Sequence, residues 1–145
     1  MSVRPISPSD LPACTHVFMA AYNGMPWNYQ WSEPDALQYL TEYTESRHFI
    51  GFVVLDGDRV AGAMFARYRT WWNNKQIYVD ELFISPDAQG KGLGKQLISH
   101  AEAYCLDNNI EMITLMTNKF MPAMKFYENL DFIKVDQFAF LFKQV

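Results

Sequence analysis

One run constrains this chain more than any other: Glu81-Leu-Phe-Ile-Ser-Pro-Asp-Ala-Gln-Gly-Lys-Gly-Leu-Gly-Lys-Gln-Leu97. A strand-like stretch ends at Pro86, a loop carries Gly90, Gly92 and Gly94, and a helical pattern begins at once. A strand must therefore deliver a glycine loop directly onto a helix N-terminus. Glycines let backbone come close to a ligand, and the first N–H groups of a helix have no partner within it. The helix dipole adds partial positive charge at the same place. Such a loop is a cradle for an anion, above all a phosphate, and Lys91 and Lys95 add full charges.

Two common phosphate motifs fail on register. A triphosphate-binding loop needs Gly-x4-Gly-Lys-Ser/Thr. With its lysine at Lys95, Gln89 falls on the first glycine and Gln96 on the hydroxyl position. A dinucleotide fingerprint needs Gly-x-Gly-x-x-Gly. Its last glycine falls on Lys95 or on Leu97, depending on the register.

The rest of the chain supplies the setting. Arg4 to Pro8 reads as a short strand, and Ser9-Asp10 with Pro12 as a helix start. That helix stops near Asn23-Gly24, and Ser32-Glu-Pro-Asp35 begins a second one. Phe49 to Leu55 and Val60 to Trp72 flank the turn Asp56-Gly57-Asp58; Asn73-Asn74 turns into a third strand, Gln76 to Ser85. A helix follows the glycine loop and ends at Asn108-Asn109. Met112 to Thr117 is a strand, Pro122 to Leu130 a short helix, and Phe132 to Lys143 β-rich, with Phe138, Phe140 and Phe142 alternating. A meander followed by a β-α-β crossover predicts an α/β fold with a mixed sheet, in one domain over residues 1–145.

Composition narrows the function. Half of the 145 residues are apolar, with eleven Phe, eight Tyr and four Trp, which excludes a disordered chain. A net charge of −4 speaks against nucleic acid as a partner. No apolar run approaches the ~20 residues of a membrane helix, and the N-terminus lacks a signal-peptide core. Cys14 and Cys105 read as free thiols of a reducing compartment, so a soluble cytoplasmic protein is expected. His16, His48 and His100 have no metal-ligand spacing, and no metal is expected.

What remains of the loop motif is Gln89-x-x-Gly92-x-Gly94 between strand and helix. Upstream stands Leu82-x-Ile84-x-Pro86. Downstream stands Ala123-x-x-Phe126-Tyr127-Glu128-x-Leu130-x-Phe132. Here the chain resembles the GNAT superfamily of N-acetyltransferases, over essentially its whole length. The resemblance implies a central, largely antiparallel twisted sheet of six to seven strands with about four helices, opened into a V where two parallel strands splay. It implies acetyl-CoA as cosubstrate and acetyl transfer to a primary amine by direct attack. A non-catalytic module that holds acetyl-CoA is the alternative. Two positions depart from the family pattern: Asp131 replaces a common glycine, and Phe120 a common asparagine, with Asn118 nearby. Asp tolerates a left-handed backbone, so the turn at 131 can survive.

The chemistry sets three tasks. The amine must lose its proton, although alkyl amines resemble Lys, with a pKa of ~10.4. The developing oxyanion needs donors. The thiolate leaving group can take a proton, since a free thiol has a pKa near ~8.5. The resemblance points to Tyr127 as the donor to sulfur, against an ordinary core aromatic. It makes Glu81 the candidate base, directly or through water, with Asp80 competing because adjacent strand residues face opposite ways. A β-bulge here, usual in the family, blurs that choice. Backbone N–H groups of Leu82, Phe83 and Ile84 are expected to serve the oxyanion and the pantetheine arm. The run Gln89, Gly90, Lys91, Gly92, Leu93, Gly94 and Lys95 is expected at the pyrophosphate, with Asn118 as a further polar contact. For a small-molecule or peptide amine, the aromatic region of Tyr22, Met25, Trp27, Tyr29, Trp31, Trp71 and Trp72 offers rings over which a cation can lie. The same rings could simply pack a loop or a dimer contact. Trp27, Tyr29, Trp31 and Trp71 are the acceptor candidates. Glu33, Asp35 and Glu42 could draw a cation or form a solvated helix face. A homodimer is a common outcome in the family.

Overall fold

Local signals at their ends set the first elements. The computed structural model describes residues 2–145 and begins with strand β1, Ser2–Pro5. A single 3-10 turn, Pro8–Asp10, leads into helix α1, Leu11–Asn23. The start expected at Ser9-Asp10 thus comes one residue later. The reason is the Asp10 carboxylate, which accepts from the Ser7 N–H at 2.7 Å and folds the chain into the tighter turn first. Arg4 forks onto the same carboxylate at 2.8 and 2.9 Å and ties β1 to the helix entrance. Helix α2, Glu33–Thr44, is capped by Ser32, whose hydroxyl accepts from the Asp35 N–H at 3.3 Å.

The Arg4 guanidinium, helped by Ser7, holds the Asp10 carboxyl down at about 2. A depressed carboxyl stabilises the fold above its unfolded pKa of ~3.9, and the gain fades as pH falls through that value towards the folded one. Asp10→Asn is therefore expected to cost about 1–2 kcal/mol at pH 7 in denaturant titrations, and little near pH 2. An equal loss at both pH values would assign the effect to packing instead of charge.

Among the described residues the sheet has five strands in the order β1-β2-β3-β4-β5. Strands β2 (Phe49–Asp56), β3 (Arg59–Trp71) and β4 (Asn74–Ile84) form the meander, antiparallel throughout. Gly57 takes φ +64 in the first turn. The second turn falls on Trp72-Asn73 rather than Asn73-Asn74: Trp72 adopts φ +53, which leaves Asn74 to pair with Trp71. Helix α3, Leu93–Asp107, crosses over to β5, Met112–Leu115, which lies parallel to β4. Helix α4, Pro122–Glu128, follows, and Asp131 at φ +67 turns the chain so that the Phe132 N–H reaches the Tyr127 carbonyl at 3.1 Å.

Two apolar layers sandwich the sheet. Cys14, Phe18, Ala36 and Leu40 of α1 and α2 pack on Val53, Ala63, Phe65 and Phe83. Leu93, Leu97, Ile98, Ala101 and Cys105 of α3, with Tyr127 of α4, pack on Met64, Ala66, Ile77 and Val79.

The expectation of six to seven strands is not met. Residues 132–143, read as β-rich, form no strand, and their alternating phenylalanines are exposed. Alternation makes a segment competent to be a strand, but only a partner's backbone makes it one, and this segment pairs with no strand among the described residues.

Candidate active site

Strand β4 reaches the site out of step with its neighbour. Phe65 pairs with Glu81, but Ala66 pairs with Val79, so Asp80 is one residue too many. Side chains two apart in a strand share a face. Ile77 and Val79 point to the α3 layer, and in an unbroken strand Glu81 and Phe83 would follow them. The bulge reverses the alternation. Glu81 and Phe83 now face α1 and α2, while Leu82 and Ile84 pack on the α3 side. Asp80 is held in a bidentate pair by Arg67, at 2.7 and 2.8 Å.

Glu81 lies in a cavity of about 470 Å³, bounded by Phe18, Tyr22, Tyr29, Gln30, Trp31, Asp35 and Tyr39. The Tyr39 hydroxyl donates to Glu81 Oε2 at 2.7 Å and lies 3.0 Å from the Tyr43 hydroxyl. The Tyr22 phenol lines the same cavity. Burial raises the Glu81 pKa above the ordinary carboxylate value, and the two phenols offset this only in part. The same burial, with the Glu81 charge beside them, raises both Tyr22 and Tyr39. A carboxyl whose pKa is raised by burial, set among phenols and walled by rings, is suited to receive a proton from a cationic ligand.

The aromatic wall hangs from α1 by a clip. Asn23 donates its side-chain amide to the Trp31 carbonyl at 3.0 Å and accepts from the Trp31 N–H at 2.8 Å. The Tyr29 N–H donates to the Tyr22 carbonyl at 2.9 Å. Trp31 then sits edge-on to Phe18 at 5.2 Å and against Tyr39 at 5.1 Å. Trp27 stacks on Tyr29 at 6.3 Å and touches Tyr22 at 5.6 Å, just behind the lining.

Beside this pocket the sheet is open. β5 pairs with β4 only as far as Val79↔Leu115, whereas β3 continues along β4 to Ile84. From residue 80 onward, one edge of β4 therefore has no strand partner among the described residues. Tyr127 is buried near this opening, its ring against Phe126 at 5.1 Å and Phe132 at 5.3 Å. Burial and the nearby Glu81 charge push its hydroxyl up to about 12, so it stays protonated. At the end of β4 lies the glycine loop. Gly90 and Gly92 take φ +78 and +79, and a Cβ on either would meet nothing within 4 Å. Left-handed backbone facing open space is what a phosphate cradle requires.

The chain matches the acetyltransferase (GNAT) family over residues 12–132, which takes in the pocket, the opened strand, the glycine loop and α4. The chain belongs to the GNAT acetyltransferase family. A relative from Archaeoglobus fulgidus, called an uncharacterized N-acetyltransferase, is 25% identical over 136 residues, covering 90% of this chain and 92% of its own. A streptothricin acetyltransferase from Streptomyces lavendulae is 30% identical over 92 residues, covering 63% of this chain and 47% of its own. In fold, the chain is similar to an aminoglycoside N-acetyltransferase in complex with CoA, with a TM-score of 0.77 at 17% identity, over 99% of this chain and 95% of the other.

Within this acetyltransferase the residues singled out from sequence do not all lie together. Glu81, Tyr29 and Trp31 share one cavity, with Trp27 behind it. Trp71 stands apart, exposed beside the β3–β4 turn. Phe83 is buried and Leu82 and Ile84 are partly buried, each packed into a core layer, so their backbone is what the open edge presents. Lys91, Lys95 and Gln89 are exposed around the loop, Lys91 lying 3.9 Å from Asp56 and Gln89 reaching the Ile84 carbonyl at 3.2 Å. Leu93 is a core residue. Gly94 is packed, since a Cβ there would lie 3.0 Å from Phe126 Cζ. Asn118 caps the turn before α4, accepting from the Phe120 N–H at 2.9 Å. Sequence reasoning missed Tyr39 as a partner of Glu81. Its signal was a phenol among Ala36, Leu40 and Tyr43 on the inward face of α2, a place where a polar tip needs a buried partner. Among the described residues no helix is long and apolar enough to cross a membrane, and no cluster of His, Cys, Asp and Glu is gathered as for a metal.

Proposed function

We propose that this acetyltransferase transfers an acetyl group from acetyl-CoA to the primary amine of a small molecule or peptide, by direct attack. The observation that carries the reading is the bulge, which turns a half-buried carboxylate into an aromatic pocket beside an unpaired stretch of strand. Bound acetyl-CoA would supply an activated acyl thioester. The backbone N–H groups at Gly90 to Lys95 would hold its pyrophosphate, and the open edge of β4 at residues 80–84 would hold its extended arm and the carbonyl oxygen. Phe18, Tyr22, Tyr29 and Trp31 would receive the amine as a cation, with Asp35 at the pocket wall adding negative charge. Glu81 would take the ammonium proton, and its phenol partners would keep the carboxylate aimed. Tyr127 would give its proton to the departing sulfur. Cys14 and Cys105 are buried with thiols pushed up to about 12 and about 11, which suits a route without an acyl-cysteine and a reducing, cytoplasmic setting.

An amine panel with detection of released thiol tests the reading. Streptothricin and aminoglycosides belong in it because relatives act on them by name; diamines, amino-acid amides and peptide N-termini complete it. Saturable thiol release with at least one amine is expected. Tight acetyl-CoA binding with no release on any amine would favour a sensing or assembly module. Tyr127→Phe is expected to lower kcat by about 10²-fold, as for loss of a general acid, with the acetyl-CoA Kd nearly unchanged. Unaltered turnover would remove Tyr127 from the mechanism.

A further inference from the structure

Two adjacent carboxylates of β4 reach the same side of the sheet. Neighbours in a regular strand point to opposite faces, but the extra residue at Asp80 breaks that rule. Glu81 reaches Tyr39 of α2. Asp80 is gripped by Arg67, which lies two residues beyond Phe65 on β3 and so shares its face, the one covered by α1 and α2. The charges of Asp80, Glu81 and Arg67 all act on the Tyr43 phenol of α2. Left alone, two such carboxylates would share protons, and the charge on one would hold the other neutral. Arg67 prevents this. Its fork takes both oxygens of Asp80, at 2.7 and 2.8 Å, and the Asp80 side chain is left only 5% exposed. The guanidinium also lies 5.8 Å from the centre of the Tyr78 ring, which helps to fix its place.

We propose that Arg67 is a positioning residue for acetyl transfer: it withdraws Asp80 from the site and cancels its charge, so that Glu81 alone of the pair meets the amine. The proposal rests on Glu81 as the proton acceptor of the transfer. Neither Arg67 nor Asp80 lines the pocket, so both act through Glu81. The Asp80 charge pushes the Glu81 carboxyl further up, after burial has raised it. The other titratable groups that face Glu81 are Tyr22 of α1, Asp35, Tyr39 and Tyr43 of α2, and Tyr127 of α4. They stay constant when only residues 67 and 80 change, so differences between such variants report the pair. Asp80 itself is faced by Arg67 of β3, Tyr43 of α2 and Tyr78 of its own strand.

The pH dependence of kcat tests this as a cycle of signs. Arg67→Met leaves the Asp80 charge beside Glu81 uncancelled, and the rising limb is expected to move up by about one pH unit. Asp80→Asn leaves the Arg67 charge instead, and the limb is expected to move down by about as much. Arg67→Met/Asp80→Asn removes both charges and is expected to return the limb to the parent position, with acetyl-CoA affinity unchanged throughout. A merely structural role would lower kcat in single and double variants at every pH without moving the limb, and that result overturns the proposal. So does a limb that stays fixed in Asp80→Asn, the variant that keeps the shape of the side chain and disturbs the fold least. Carbon-13 NMR of the carboxyl groups, with the Glu81 signal assigned by its loss in Glu81→Gln, follows the same titration without turnover. The signed cycle present there but absent from kcat would uphold the separation of the two carboxylates and overturn Glu81 as the base. A Glu81 signal indifferent to both substitutions overturns the proposal.

Discussion

Glu81→Gln is expected to cut turnover by about 10²–10⁴-fold, the range for loss of a general base, while leaving the melting temperature at or above that of the parent protein. The two halves of this expectation come from one fact. Burial raises the Glu81 pKa in the fold. A carboxyl whose folded pKa lies above its unfolded value opposes folding once both states are ionised, so the charge weakens the fold above that pH. Glutamine removes the charge and still accepts from Tyr39. In the parent enzyme kcat should rise with pH as Glu81 ionises, along a limb displaced upward from the ordinary carboxylate range; the variant should lack that limb. An amine already neutral at the assay pH should suffer less from the substitution. Near-normal turnover of Glu81→Gln with a strongly basic amine would assign proton removal to solvent or to Asp80.

Gly92→Trp should abolish measurable acetyl-CoA binding in calorimetry, and Gly92→Asn should weaken it by at least about tenfold. Gly92 stands at the N-cap of α3 with φ +79 and faces open space. The indole would fill the open space beside the N-terminus of α3. Asparagine separates occupancy from strain, because it tolerates left-handed backbone better than most residues yet still projects a side chain into the cradle. The melting temperature of the Asn variant should fall by only a few degrees, for a cost of about 1 kcal/mol. Parent-like affinity in both variants would move the pyrophosphate away from this loop.

The order of elements as far as α4 was legible because its signals are local. Ser32 caps a helix, Gly57 and Asn109 turn the chain, and the glycine loop joins strand to helix. What was not legible depends on distant pairing. Phe138, Phe140 and Phe142 alternate as a strand should, but nothing within those residues says whether an edge will receive them. Trp71 was grouped with Trp27, Tyr29 and Trp31 by aromatic character, yet the length of β3 carries it to the far end of a hairpin. Alternation alone could not choose between Asp80 and Glu81 for the cleft, since the bulge arises from the register of β3 against β4, and both strands are needed to see it.

That bulge acts as a frameshift in the pleat. Position 80 contributes a count as well as a carboxylate, because every side chain after it is read out on the opposite face. Removing one residue from β4 would drive Glu81 and Phe83 into the layer beneath α3, and turn Leu82 and Ile84 towards the pocket. Substitutions along the pocket wall, at Tyr29, Gln30 or Asp35, leave that phase untouched. The pocket side of this fold can therefore drift in composition while the position of its half-buried carboxylate stays locked by chain length.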